Sequence, residues 1–280
     1  MGLGGYLAWT AAAREIVNSG KASKVLPCEI HGEKYIKIVD SEVWLNNPYV
    51  TLNHEELKTG CVIPLQLNNP HTNYCKSDTP EKAYHRYDKH IIEQICEYYQ
   101  TESPVLKCEL YFTEKERDNI TNLRKQLEDR FIAIEPHSKT NYTFNRVYPF
   151  DKWQSIVDEL SKKIQVVQVG RSGSRLLKGA HDMTGKTTFR EAALLIGEAE
   201  IFLSTEGGLT HAATCTDTPA LVVLTGYQHE KMVAYPQNIN INIARHGPCG
   251  LKQACSQCES DAQAHEWREI VTAVEEVLCL

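Results

Sequence analysis

The residues of this chain with types and spacing suited to chemistry gather in three loops and one cysteine cluster. Ile201-Phe202-Leu203 reads as a buried strand and runs into Ser204-Thr205-Glu206-Gly207-Gly208-Leu209-Thr210-His211. Paired glycines let backbone come close to a ligand, and free N–H groups at the start of the following helix face an anion. A phosphate or diphosphate suits that arrangement, with His211 adding a hydrogen bond or a positive charge. The competing account is a helix start capped by Thr205 or Glu206, with His211 packed inside. The second loop runs from Glu135-Pro136-His137-Ser138-Lys139 to Asn145-Arg146-Val147-Tyr148-Pro149. Lys139 and Arg146 there would neutralise a leaving diphosphate, or stand as ordinary surface cations. The third, Thr184-Gly185-Lys186-Thr187-Thr188, ends like a P-loop. Ala180 takes the place of the upstream glycine, with Gly179 beside it, and no clear strand leads in, so an ATPase reading is rejected. Finally, Cys249, Cys255 and Cys258 follow the last strand, with His265 at the start of the last helix. Three thiolates and an imidazole suit a tetrahedral metal ion; reduced loop cysteines or a disulfide pair are the rival accounts.

An α/β framework must position these loops. The chain has 280 residues, 42% apolar and 24% charged, which excludes disordered, collagenous and coiled-coil classes. Thirty basic against thirty-six acidic residues give a net charge of −6, with no basic stripe for duplex DNA. No run is long enough to span a bilayer, and Met1–Ala13 lacks the basic start of a signal peptide, so a cytoplasmic location is expected. Most of the ten cysteines are scattered singly, as reduced core residues are.

Periodicity predicts helices over Tyr6–Asn18, Tyr87–Tyr99, from Thr113 to about Leu127, Pro149–Lys162, Thr188–Ile196, Gly207–Thr214 and about Ala262–Leu278. The last is expected to be anchored by Trp267, with Val277 on its buried face. Thr113…Glu116 and Thr188…Glu191 are capping boxes. Strands are predicted at Lys24–Pro27, Tyr35–Val39, Lys107–Phe112, Phe131–Glu135, Ile164–Val169, Ile201–Leu203 and Pro219–Leu224. Strand and helix in alternation mean βαβ units and a parallel sheet. The expected division is 1–129 and 130–280, two Rossmann-like layers facing each other across a cleft. Ligands bind beyond the carboxyl ends of such strands, where the three loops lie.

The order of these stretches resembles glycosyltransferase family 9, the heptosyltransferase-like enzymes of GT-B fold. It is carried by Ile134–Ser138, Arg146–Trp153, Val166–Gly170, Thr184–Ala193, Ser204–Ala213 and Thr218–Ala220. At the front, Gly4-Gly5-Tyr6-Leu7-Ala8-Trp9-Thr10-Ala11-Ala12-Ala13-Arg14 is similar to the family's first strand-to-helix turn. Glu206 and Gly207 replace the family's usual Asp and hydroxyl residue, and Gly5 stands at the position of its catalytic Asp. The first strand is absent before the turn, so either an upstream start or a rearranged first domain is expected.

The resemblance implies inverting transfer of a sugar from a nucleotide-diphosphate donor to the hydroxyl of a glycan, lipid-linked or protein acceptor, with no nucleic-acid partner. It places Ser138, Lys139, Arg146, Thr187, Glu206, Gly207, Gly208 and His211 at the donor. No cofactor is required for transfer, and Cys249, Cys255, Cys258 and His265 would hold a structural zinc or iron. The base is unassigned: Asp40, Glu42 and Glu206 are the substitutes for Gly5. The rival functions are a nucleotide-sugar-binding protein that has lost catalysis and another GT-B enzyme, such as an epimerase or hydrolase.

Overall fold

The computed structural model describes residues 2–32, 35–69, 72, 88–137 and 142–280. Helix α1 (Leu3–Asn18) opens the chain and buries Leu7, Ala8, Trp9, Ala11, Ala12, Ala13 and Ile16. Its alanines let neighbouring helices approach closely. The strands β1 (Lys24–His31), β2 (Tyr35–Ile38) and β3 (Val62–Gln66) form a sheet of order β2-β1-β3, antiparallel at β2 and parallel at β3. Helices α2 (Ile91–Tyr98) and α3 (Glu114–Arg124) follow. Thr113 and Glu116 close the expected capping box on α3. His90 and Glu93 form another on α2, a cap less evident from sequence because histidine supplies the acceptor.

The second half is a parallel sheet of six strands: β4 (Phe131–Glu135), β5 (Gln165–Gln168), β6 (His181–Asp182), β7 (Ile201–Thr205), β8 (Ala220–Leu224) and β9 (Ile239–Asn242). Between them run α4 (Phe150–Leu160), α5 (Phe189–Gly197), α6 (Gly208–Ala213) and α7 (Glu230–Val233). After β9 come α8 (Ser256–Ala264) and α9 (Arg268–Leu278). The order β6-β5-β4-β7-β8-β9 is doubly wound, and its direction reverses between β4 and β7. A crevice opens at such a switch point beyond the strand ends. Here it lies where Glu135 and Ser204 stand side by side in register.

Several expectations are corrected. Helix α1 starts at Leu3, so Gly4 and Gly5 lie inside its first turn and not in a loop before it. Lys107–Phe112 joins no ladder. The N–H groups of Cys108 and Glu109 donate instead to the hydroxyls of Thr214 and Thr10, at 3.0 and 2.8 Å. The segment is thus held by side chains, which satisfy its backbone without a strand partner. The long final helix is broken into α8 and α9 at residues 265–267. Trp267 is the half-buried N-cap residue of α9, its ring under the Arg268 guanidinium, while Ile270, Val271, Val274 and Leu278 make the anchor. Val277 is 48% exposed.

The halves are welded by Arg190 of α5, which is 2% exposed. Its guanidinium reaches Glu116 of α3 at 2.6 and 3.0 Å and donates to the carbonyls of Glu42 and Tyr111 at 3.0 and 2.7 Å. Four aligned donors satisfy the buried charge. Arg190→Ala should destabilise the protein by about 3–5 kcal/mol, because Glu116 and two carbonyls lose their partner together. Urea unfolding measures it.

Candidate functional site

The switch point opens into a cavity of about 940 Å³. Its floor is the ends of β4 and β7 with the loop after β5; its roof is the first turn of α1. Glu135 lines it from β4, Gly170 and Arg171 from the loop after β5, and Glu206 to Leu209 from the turn after β7. The roof rests directly on that turn. A Cβ placed on Gly4 would lie 2.6 Å from the Cα of Gly208, a distance that real side chains do not adopt. The amino ends of α1 and α6 thereby meet, and neither carries a side-chain cap. Uncapped N–H groups at a helix start suit an anion. The alternative of a cap from Thr205 or Glu206 is not realised.

Arg146, Thr187, Glu206, Gly207, Gly208 and His211 all line this cavity. Ser138 and Lys139 lie outside the described residues. Arg146 Nε is 2.7 Å from Glu206 Oε2, an ion pair without the alignment of a hydrogen bond. Its guanidinium lies over the rings of Tyr142 and Tyr227, at 5.4 and 4.8 Å. Burial raises the Glu206 carboxyl above its ordinary value, against the pull of Arg146. His211 is not a cation. Burial, with His90 and Arg146 nearby, pushes its pKa down to about 3. Its Nδ1 lies 2.6 Å from the Tyr235 hydroxyl, which in turn is 3.2 Å from the Cys108 thiol. When Tyr235 donates to Nδ1, the ring carries its proton on Nε2, 3.8 Å from Glu206 Oε1. His211 is then a neutral donor facing Glu206.

Asp40 and Glu42 are exposed and do not line the cavity. Among the described residues its carboxylates are Glu29, Glu135 and Glu206. Glu29 stands near Lys37 and His31, at 3.6 and 3.4 Å. Burial pushes the Glu135 carboxyl up to about 8, and among the described residues no cation or hydrogen bond offsets it. Tyr235 has no signal in the sequence, and Glu135 and Asn145 stand there only as members of the second loop, with no role assigned. The one available signal was a carboxylate ending an otherwise apolar strand.

The cysteine cluster is rearranged. His265 stands apart from it: Nδ1 is 2.8 Å from the Tyr148 hydroxyl and Nε2 3.3 Å from Glu269. His246 takes its place, three residues before Cys249. Cys258 Sγ is 3.5 Å from Cys249 Sγ and 3.7 Å from His246 Nε2. The ligand atoms of His246, Cys255 and Cys258 lie within 4.8 Å of one another. Two sulfurs held about 2.3 Å from one tetrahedral ion stand about 3.8 Å apart, so the set fits. His246 Nδ1 is also 2.8 Å from Asp261 Oδ2, the carboxylate backing common to metal-bound imidazoles. Contact with Cys258 pulls the Cys249 thiol down to about 6.

Residues 76–261 match the model of glycosyltransferase family 9 (heptosyltransferase), more than half of the chain. The chain belongs to that family. Among solved structures, a family 9 glycosyl transferase from Veillonella parvula DSM 2008 superposes with a TM-score of 0.65 at 11% identity, covering 100% of this chain and 95% of that one. The iron-containing dodecameric glycosyltransferase TibC from enterotoxigenic E. coli H10407 does so with a TM-score of 0.65 at 14% identity, covering 99% and 74%. E. coli ADP-heptose lps heptosyltransferase II has a TM-score of 0.53 at 13% identity, and the match covers 68% of this chain and 62% of that one. The fold is therefore that of GT-B heptosyltransferases. No curated protein matches the sequence. Among the described residues no helix is long and apolar enough to cross a membrane.

The state of Glu135 is open to a pH test. Its folded pKa of about 8 lies above the ordinary 4.5, so the fold favours the protonated form. That contribution is complete below pH 4.5 and is lost as pH climbs towards 8. Glu135→Gln, neutral throughout, should therefore melt progressively higher than the native chain across that window and level with it below. Equal melting temperatures at pH 8 would show the carboxyl to be solvated.

Proposed function

We propose that the chain binds a nucleoside-diphosphate sugar in this cavity and transfers the sugar, with inversion, to an acceptor hydroxyl. One observation carries the reading: Arg146, Glu206 and two uncapped helix starts converge at the switch point of the six-stranded sheet. The crystal structure of TibC in complex with ADP-D-β-D-heptose supports an ADP-linked sugar as donor. In this reading residues 130–280 carry the donor side and 1–129 the acceptor side, in the cytoplasm, with a glycan, lipid-linked or protein acceptor. Lys139 and Ser138 belong to the donor loop. In the transfer itself, the acceptor oxygen bonds to the anomeric carbon from the face opposite the diphosphate. The bond from that carbon to the phosphate oxygen breaks, its electron pair leaves with the diphosphate, and the hydroxyl proton passes to a carboxylate of the cavity (Glu29, Glu135 or Glu206) or to solvent. Arg146 and the α6 N–H groups hold the developing charge. A neutral His211 adds a hydrogen bond without a further charge. No metal takes part in this step.

The thiol cluster is read as a structural ion site, held by His246, Cys249, Cys255 and Cys258. An ion there would fix the loop and supply no chemistry to transfer. The iron of TibC and the soft donor set support zinc or iron.

A second reading, donor binding with slow or lost transfer, is favoured by Gly5. Gly5, which the sequence resemblance sets at the family's base position, lies inside the first turn of α1 and carries no ionisable group. A positioned base is worth roughly 10²–10⁴-fold. The native chain should therefore bind ADP yet transfer slowly, and Gly5→Asp should raise turnover within that range. Ordinary enzyme rates from the native chain would overturn this second reading and give the base to Glu29, Glu135 or Glu206. Binding is tested separately: Arg146→Ala should cost about 1.5–3 kcal/mol of ADP affinity, the value of charge-assisted hydrogen bonds. Unchanged affinity by calorimetry would take Arg146 out of the site. Analysis of sugar products without acceptor separates transfer from epimerisation.

A further inference from the structure

One buried side chain joins the thiol-bearing loop to the donor cavity. Asn145 is 4% exposed. Its amide nitrogen donates to the carbonyls of Leu251 and Gln253, at 2.9 and 2.8 Å, and lies 3.5 Å from Cys249 Sγ. Its oxygen accepts the N–H of Cys255 at 2.8 Å. A single amide thus spans the loop from Cys249 to Cys255, using both its donor and its acceptor. The backbone of Asn145 is itself fixed, since Thr225 Oγ1 donates to its carbonyl at 2.6 Å.

Two cations hang on this clamp. Arg146 is the next residue along the chain. Lys252 lies between the two loop residues whose carbonyls Asn145 holds, and it lines the donor cavity. The ring beneath Arg146 is tied to the same loop: Cys249 N–H donates to the Gly226 carbonyl at 3.0 Å, and Gly250 N–H to that of Tyr227 at 2.9 Å. The thiols Cys249, Cys255 and Cys258 do not line the cavity. The thiols of Cys249 and Cys258 meet each other at 3.5 Å, while Lys252 lines the cavity.

We propose that Asn145 is a positioning residue that sets Arg146 and Lys252 relative to each other, so that the order of the thiol-bearing loop governs affinity for the donor diphosphate. The proposal rests on the donor-site reading of Arg146 given above. Binding couplings are reciprocal: whatever orders the loop at its thiols tightens diphosphate binding, and diphosphate binding orders the thiols by the same factor. The full chain, reduced and treated with chelator, is alkylated with iodoacetamide with and without saturating ADP, and each cysteine is followed by mass spectrometry. ADP should slow modification of Cys249 and Cys255 several-fold and leave the exposed Cys61 and Cys279 unchanged. Binding of ADP by calorimetry with no such protection overturns the proposal alone. No binding of ADP at all removes the donor-site reading, and the proposal with it. A double-mutant cycle supplies a readout that a merely structural role does not move. Asn145→Ala should weaken ADP binding by about tenfold, and Lys252→Ala should then add little, since coupled neighbours are non-additive. Fully additive losses would show that Asn145 does not place Lys252.

Discussion

The site depends on the bare contact between Gly4 and Gly208. Glycine inside a helix costs roughly 1 kcal/mol relative to alanine, and α1 carries two in its first turn, Gly4 and Gly5. The return is an approach that no side chain permits: a Cβ on Gly4 would meet Gly208 Cα at 2.6 Å and His211 Cδ2 at 3.2 Å. With that approach, a helix from the first half of the chain roofs a crevice that the second half builds. Gly207, by contrast, has extended backbone, φ −172°, open to any residue. Its value is the absence of a side chain where a ligand must come near.

Charge in the cavity is balanced by pairing and by burial. Glu206 is set against Arg146, and burial favours the neutral forms of His211 and Glu135. Among the described residues, the other cationic side chains lining it are Arg171 and Lys252. In a chain of net charge −6 the cavity thus has a local charge balance unlike the average surface. Local placement, and not overall composition, decides which anions are welcome.

Much of this was legible in the sequence where the determinant is local. Phe131–Glu135 reads as a buried parallel strand because its apolar run is unbroken, and Thr113…Glu116 and Thr188…Glu191 announce their helices through side chains three residues apart. The turn after β7 was legible for the same reason, as a glycine pair between a strand and a helix. What escaped depends on partners distant in sequence. Tyr235 is 24 residues from His211, and Asn145 is 110 from Cys255, so no window contains either pair. His265 was drawn into the cysteine set by proximity in sequence, but Tyr148, 117 residues away, holds its ring. Lys107–Phe112 has the residue types of a strand and lies between helices, where hydroxyls from Thr10 and Thr214 replace a ladder.

The same glycine contact governs how the molecule can move. Helix α1 is tethered by sequence to the first sheet, and its buried face shares one core with α5 and α6 of the second half. Parting the halves at this point would expose alanine-rich surface and strip Arg190 of its partners together. Any movement that widened the cavity at its roof would have to part α1 from α6 across the Gly4–Gly208 contact.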